Sequence, residues 1–175
     1  MAGEDEWLDL VDASDAVVGR MLRSEVYARG LSNFRVVNAF IVNEKGELWI
    51  PRRARHKRLF PGALDVSVGG HVESGEDYDT AFARETMEEV RIDVRVIGFR
   101  EIARLSPVTH SVSAFMRVYE IPHNADPEFN RDDFAEAFWL SPNALLDRIA
   151  DGEPCKGDLP ELVRQVQRAF RSSIA

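Results

Sequence analysis

Short runs of alternating apolar and polar residues, the pattern of half-buried β-strands, recur along much of the chain. Two of them, Trp7–Val11 and Val17–Leu22, flank a polar turn and predict an N-terminal hairpin. Segments 34–42 and 47–53 predict a second hairpin, because the turn between them contains Gly46, which tolerates backbone angles that other residues avoid. Further strands are predicted at 64–68, ending at the glycine pair that follows, and at 93–105, 111–121 and 135–140.

The apolar spacing changes to a helical period in three places. One helix is predicted over about residues 76–90. Ser141 followed by Pro142 predicts the start of a second helix, and Asp158 predicts the start of a third. The third helix has an apolar face made of Leu162, Val163, Val166 and Phe170. The order of strands, helix, strands and two helices predicts an α/β fold with a mixed sheet covered by helices, and no linker divides the single domain expected over residues 1–175.

Charge narrows the range of partners. The formal net charge of −8 argues against a broad surface for nucleic-acid polymers or membranes. Segment 52–58 nevertheless carries five arginines and lysines in seven residues. A local cationic segment on an acidic protein suits a small anionic ligand, and a solvated loop is the alternative.

The chain has a single cysteine, Cys155, which excludes an intramolecular disulfide and a cysteine metal cluster. The acidic N-terminus lacks the basic and apolar regions of a signal peptide, and no apolar run approaches the roughly 20 residues that span a bilayer. We therefore expect a cytoplasmic location.

The strongest chemical signal is a group of three carboxylates on the first helix. Glu85, Glu88 and Glu89 follow i, i+3, i+4 spacing, so their side chains leave the helix on one side. Like charges at this spacing destabilise a helix by roughly 0.2–0.5 kcal/mol per pair. A solvated acidic face is one explanation, and a bound cation that offsets the repulsion is another. Hard oxygen ligands without cysteine or a histidine pair favour magnesium or manganese.

Segment 70–92 resembles the Nudix box, a motif of fixed glycine, glutamate and arginine positions. The matching residues are Gly70, Glu76, Arg84, Glu85, Glu88, Glu89 and Ile92. Two positions depart from the motif: Thr86 replaces an aliphatic residue and Arg91 replaces the terminal glycine. A left-handed helix end costs a residue other than glycine about 1 kcal/mol, so Arg91 either adopts a strained conformation or the helix ends differently.

The resemblance also extends outside the box. Segment 49–76 is similar to isopentenyl-diphosphate isomerases of the same superfamily, and with the element order the similarity covers roughly residues 5–172. It implies the Nudix fold, an α/β/α sandwich with a mixed β-sheet. Those isomerases carry a catalytic cysteine just before the box glycine, where this chain has Gly69, and they use N-terminal histidines, whereas no histidine here precedes His56. Isomerase chemistry is therefore disfavoured.

The resemblance implies roles for individual residues. Gly70, Glu85, Glu88 and Glu89 are expected to hold the metal. Glu88, or Glu136 on a late strand, is the candidate general base. The cationic segment is suited to a terminal phosphate, and we expect two of its five basic residues to contact substrate. These residues are Arg52, Arg53, Arg55, Lys57 and Arg58.

The expected activity is magnesium-dependent hydrolysis of a phosphoanhydride bond in small nucleoside diphosphates or related nucleotides, with manganese as a substitute. The partner is a small molecule, neither a nucleic-acid polymer nor a membrane, and the protein is expected to be a monomer or a homodimer. Two alternatives stay open: an enzyme similar to the isopentenyl-diphosphate isomerases that uses a different acid, and a nucleotide-binding module without catalytic activity.

Overall fold

A computed structural model describes residues 5–174 of the chain. Its elements are β1 (Trp7–Val11), β2 (Val17–Leu22), α1 (Arg23–Ala28), β3 (Arg35–Val42), β4 (Leu48–Arg53), β5 (Val68–His71), α2 (Tyr78–Val90), α3 (Val94–Ile97), β6 (Arg100–Leu105), β7 (Phe115–Pro122), β8 (Phe134–Leu140), α4 (Pro142–Ala150) and α5 (Leu159–Ile174). None of the helices in this part of the chain has the length and apolar character needed to cross a membrane.

The main sheet is mixed, as the sequence predicts. Its strands follow the order β6-β7-β3-β4-β8, and β5 also pairs with β3. The β3–β7 pair is parallel and the other pairs are antiparallel. β1 and β2 form the separate two-stranded hairpin predicted at the N-terminus.

Helices cover both faces of the sheet, because the strands alternate two apolar sets of side chains. On β3, Phe40 packs with α1, α4 and α5, whereas Ala39 and Ile41 pack with α2 and α3. We call these two sides the α5 face and the α2 face. The predicted α/β/α sandwich is confirmed.

The sheet forks beside β3. β4 pairs with β3 only at Leu48, opposite Val42, whereas β5 pairs with the other end of β3, from Val36 to Ala39. The buried hydroxyl of Ser67 lies at the fork. It accepts a hydrogen bond from the Ile41 backbone nitrogen at 2.9 Å and donates to the Trp49 carbonyl at 2.5 Å. A side chain thus satisfies backbone groups that would otherwise be buried without partners.

Four predicted boundaries were wrong. The strand predicted at 111–121 begins only at Phe115, where pairing with β3 begins. The strand predicted at 64–68 instead begins at Val68 and continues through the glycine pair to His71, because pairing with β3 extends over both glycines. The strand predicted at 93–105 begins with the short helix α3, which Asp93 caps, and becomes extended only at Arg100. The first long helix begins at Tyr78 because the side chain of Asp77 caps it by accepting from the Thr80 backbone nitrogen.

Arg91 adopts the left-handed conformation that the motif normally assigns to glycine, with φ 57° and ψ 28°. We predict that Arg91→Gly stabilises the protein by about 1 kcal/mol, because glycine adopts this conformation without a steric clash at Cβ. The midpoint of thermal unfolding should rise by roughly 2–4 °C. Arg91→Ala is the control, since it removes the long side chain but keeps Cβ; an equal gain there would contradict the backbone explanation.

Candidate active site

The three carboxylates of α2 differ in exposure. The Glu85 side chain is 14% exposed and the Glu88 side chain is 58% exposed. Glu89 is partly buried, and its Oε2 accepts a hydrogen bond from the Gly69 backbone nitrogen at 3.0 Å. The helix therefore directs two carboxylates towards β5 and leaves one at the solvent edge.

Gly70 lets α2 approach β5 closely. A Cβ at this position would lie 2.0 Å from Cδ of Glu85 and 2.1 Å from its Oε1. Any side chain would therefore displace the carboxylate. The conformation of Gly70 does not require glycine, since its φ is not positive; the requirement is space for Glu85.

Arg84 fixes the geometry around the carboxylates. Its guanidinium donates to both carboxylate oxygens of Glu76 at 2.9 Å, to Glu85 Oε1 at 2.8 Å and to the His71 carbonyl at 3.1 Å. Glu88 lies 3.6 Å away, the expected i, i+4 pair. Arg84 thus ties the segment before α2, the carboxylate of Glu85 and the end of β5 to one planar group.

The two inward carboxylates are electrostatically crowded. Burial raises the pKa of Glu85 to about 7, although Arg84 opposes this shift and Glu88 adds to it. Burial, followed by the charge of Glu85, raises the pKa of Glu89 well above its ordinary value, although the Gly69 N–H favours the charged form. A cation bound between them would offset both burial and repulsion.

The donor set fits a hard divalent cation. Carboxylate oxygens of Glu85, Glu88 and Glu89, with the carbonyl of Gly70, are ligands of the type that magnesium and manganese prefer. Within residues 5–174, no three histidine, cysteine or acidic side chains already converge as a metal cage. Instead, Glu85 contacts Arg84, and Glu89 contacts the Gly69 N–H. To bind a metal, each carboxylate would direct an oxygen away from that partner and towards the ion.

The cationic segment is divided between the two faces of the sheet. The side chains of β4 point alternately to the two faces, so Leu48 and Ile50 pack on the α5 face and Trp49 packs on the α2 face. Arg52 continues the first set and Arg53 the second. Arg53 pairs across the strands with Phe134, which packs on the α2 face, so of these two arginines only Arg53 lies on the side of the α2 carboxylates.

Two acidic residues connect the cationic segment to Glu89. Arg53 Nη1 donates to Asp65 Oδ2 at 2.7 Å, and the ammonium of Lys57 pairs with Asp133. Asp133 lies close to Glu89, because the Asp133 nitrogen donates to the Asn130 carbonyl and the Asn130 nitrogen donates to the Glu89 carbonyl. Asp65 comes four residues before Gly69, whose N–H binds the Glu89 carboxylate, and the charges of both aspartates add to the raised pKa of Glu89. Arg55 and Arg58 are exposed.

Glu136 and Arg52 lie away from this group. Glu136 is the cross-strand partner of Arg52, and their side chains pair at 2.6 Å. Arg52 also pairs with Glu153 at 2.6 Å. Phe138, two residues after Glu136 on β8 and therefore on the same face, packs against the α5-face core, which agrees with this placement. Since cross-strand partners lie on the same face, Glu136 and Arg52 both face away from the α2 carboxylates, and their roles as general base and phosphate ligand stay predictions.

Sequence reasoning missed Asp65, Asp133 and Lys156, which gather around the cationic segment. Lys156 Nζ lies 3.7 Å from Asp65 Oδ1. No local pattern identifies them, because each comes from a different segment and only the tertiary fold brings them together. Cys155, beside Lys156, packs against the α5-face core, and burial raises the pKa of its thiol.

The site and fold together define the class of protein. Residues 32–159 match the NUDIX domain family, and this match covers more than half of the chain. The chain belongs to the Nudix family, and it is a Nudix hydrolase by its similarity to proteins of that name.

An uncharacterised Nudix hydrolase of a Nostoc species is 52% identical over 159 residues, covering 91% of this chain and 94% of the relative. A Nudix hydrolase of Deinococcus radiodurans is 51% identical over 164 residues, covering 94% of this chain and 95% of the relative. The crystal structure of a Deinococcus radiodurans protein superposes with a TM-score of 0.87 at 50% identity and covers 92% of this chain and 99% of that chain. These similarities confirm the family and the fold.

The isomerase resemblance is weaker but present. An isopentenyl-diphosphate Delta-isomerase of Kocuria rhizophila is 27% identical over 144 residues, covering 80% of each chain.

The raised pKa of Glu85 predicts a pH dependence of the metal-free protein. Because the folded-state pKa, about 7, exceeds the ordinary value of 4.5, the folded state binds more protons between these values. Glu85 should therefore lower the free energy of unfolding as pH rises through this window, by roughly 1–3 kcal/mol in all. Burial lowers the pKa of His71 to about 3, so His71 changes the stability in the opposite direction below about pH 6.5. Chemical denaturation in EDTA at about pH 5 and about pH 8 measures this change.

Glu85→Gln is the matched variant, since glutamine has the same shape but no titratable proton. It should reduce the pH slope, and Glu89 should account for the part that persists. An unchanged slope in this variant would assign the pH dependence to other groups.

Proposed function

We propose that this protein is a magnesium-dependent hydrolase that cleaves a phosphoanhydride bond in small nucleoside diphosphates or related nucleotides. The observation that carries the proposal is that acidic side chains of α2 and basic side chains of the cationic segment lie close together on the α2 face. The Glu85 carboxylate lies against Gly70, and the Glu89 carboxylate binds the Gly69 N–H. Arg53 and Lys57 approach through their partners Asp65 and Asp133, of which Asp133 is joined to the Glu89 backbone through Asn130. A cation and a terminal phosphate would each find ligands of the appropriate charge.

Gly70, Glu85, Glu88 and Glu89 would hold magnesium, with manganese as a substitute. When bound, the ion neutralises phosphate charge and lowers the pKa of a coordinated water. Arg84 keeps Glu85 in place through the hydrogen bonds that join it to Glu76. Its removal would loosen the ligand without removing a ligand atom.

Within the chain, Glu88 is the stronger candidate for the general base. It is exposed, it lies on the same side of α2 as Glu85, and among residues 5–174 its one ion-pair partner is Arg84 at 3.6 Å. It can therefore reach a water molecule in the cleft, whereas Glu136 lies on the α5 face.

The phosphate contacts fall to Arg53 and Lys57, with Arg58 on the exposed part of the same loop. Arg53 and Lys57 each contact an aspartate now, so a bound phosphate would compete with, or add to, those carboxylates. A guanidinium can bind two phosphate oxygens at once, and an ammonium acts as a point charge. This pair therefore suits a terminal phosphate better than a phosphodiester with both ends capped. The monomer or homodimer and the cytoplasmic location stay predictions.

The decisive experiment is a phosphate-release assay on the purified full-length protein. The panel contains nucleoside mono-, di- and triphosphates, nucleotide sugars and isopentenyl diphosphate. We predict turnover of nucleoside diphosphates with magnesium or manganese, loss of activity in EDTA and recovery when the metal is restored. Full turnover in metal-free buffer would contradict the metal assignment, and no turnover of any compound would favour the non-catalytic binding module.

The isomerase alternative has its own readout. Proton exchange at carbon in isopentenyl diphosphate, followed in deuterated water, would overturn the hydrolase proposal, because phosphoanhydride hydrolysis does not labilise that carbon. The expected result is no exchange, since glycine occupies position 69, where the isomerases have cysteine.

We predict that Glu89→Gln lowers kcat at least about 100-fold, since loss of groups that merely support metal ligands already costs 10–100-fold. The metal-free variant should be as stable as the native protein or more stable, because the substitution removes a buried charge near Glu85. Steady-state kinetics and thermal unfolding measure the two effects. Glu44→Gln, on an exposed turn, is the control. Near-normal kcat in Glu89→Gln would exclude Glu89 as a metal ligand.

A further inference from the structure

Asp65 is approached by two cations from distant parts of the chain. Its side chain is 5% exposed, and Arg53 Nη1 binds its Oδ2 at 2.7 Å. The ammonium of Lys156 lies 3.7 Å from Oδ1, beyond hydrogen-bond distance. One carboxylate therefore faces two fixed positive charges, and this group of three residues carries a net positive charge.

Backbone pairing with Leu64 fixes the position of Lys156. Cys155 forms a parallel bridge with Leu64, the Leu64 nitrogen donates to the Pro154 carbonyl at 2.8 Å, and the Lys156 nitrogen donates to the Leu64 carbonyl at 2.9 Å. The segment before α5 is thus tied to the residue that precedes Asp65. The lysine lies on an ordered backbone, and its side chain is 32% exposed.

The neighbours of Lys156 place it beside the segment that joins β4 to β5. Leu64, which bridges Cys155, also forms an antiparallel bridge with Arg52 at the end of β4. Asp65, the partner of Lys156, comes four residues before Gly69, whose backbone N–H binds Glu89. Lys156 therefore lies beside the segment between β4 and β5, with a carboxylate partner that also pairs with Arg53.

We propose that Lys156 is a further substrate-binding residue, which together with Arg53 holds the terminal phosphate of the substrate. The inference rests on the proposed function for the identity of the anion. Arg53 supplies the close hydrogen bond that the buried carboxylate needs. The ammonium of Lys156, which makes no hydrogen bond to that carboxylate, keeps donors for phosphate oxygens.

The test measures binding of inorganic pyrophosphate to the full-length protein with magnesium, by isothermal titration calorimetry. Lys156→Gln should weaken binding about tenfold or more, because a hydrogen bond between charged groups is lost. Lys156→Arg should stay within about threefold of the native protein, since the charge is kept. Lys45→Gln, in an exposed turn, is the matched control and should bind as the native protein does.

The outcomes separate a binding role from a structural one. If Lys156 only neutralises Asp65, Lys156→Gln lowers the midpoint of thermal unfolding while the Kd for pyrophosphate stays unchanged, and the proposal is overturned. Failure of the native protein to bind pyrophosphate overturns it as well. Binding that depends on Lys156 in a protein that hydrolyses no nucleoside diphosphate would support this inference and reject the proposed function.

Discussion

The hydrogen bonds of Ser67 hold open the fork on which the site depends. Where β3 changes partner from β4 to β5, the divergence of the strands leaves the Ile41 N–H and the Trp49 carbonyl without partners in the ladder, and the Ser67 hydroxyl satisfies both. β4 and β5 can then diverge from a common neighbour without buried unsatisfied backbone groups. The α2 carboxylates approach the β5 side of this opening, and Arg53 approaches from the β4 side.

Charged residues of both signs surround the fork, but the two inward carboxylates are held there at an electrostatic cost. Glu85 and Glu89 are buried with raised pKa values, and Arg84 is the positive group that holds Glu85 in place. Buried acidic groups of this kind reduce the stability of the metal-free protein, which is typical of sites built for binding rather than for stability. The close contact at Gly70 limits how far Glu85 can move and so keeps its carboxylate in position.

Much of the site could be predicted because it lies within one short segment. The spacing of Glu85, Glu88 and Glu89 places them on one side of any α-helix, and Arg84, which the motif places beside them, pairs with both Glu76 and Glu88. The left-handed end at Arg91 is one of the two outcomes that the missing glycine leaves open. The strand boundaries at the glycine pair were harder to predict, because they depend on pairing with β3 and not on local propensity.

The sequence by itself determined the helix with its carboxylates, the family to which the chain belongs and the mixed character of the sheet, since these follow from local periodicity and motif spacing. Only the tertiary structure decided which basic residues accompany those carboxylates. Arg52 and Arg53 are adjacent and chemically identical, yet the pleat of β4 sends them to opposite faces. Lys156 joins Arg53 only because the segment before α5 pairs with residue 64. Contacts between residues so far apart depend on the packing of the whole chain, which no local spacing encodes.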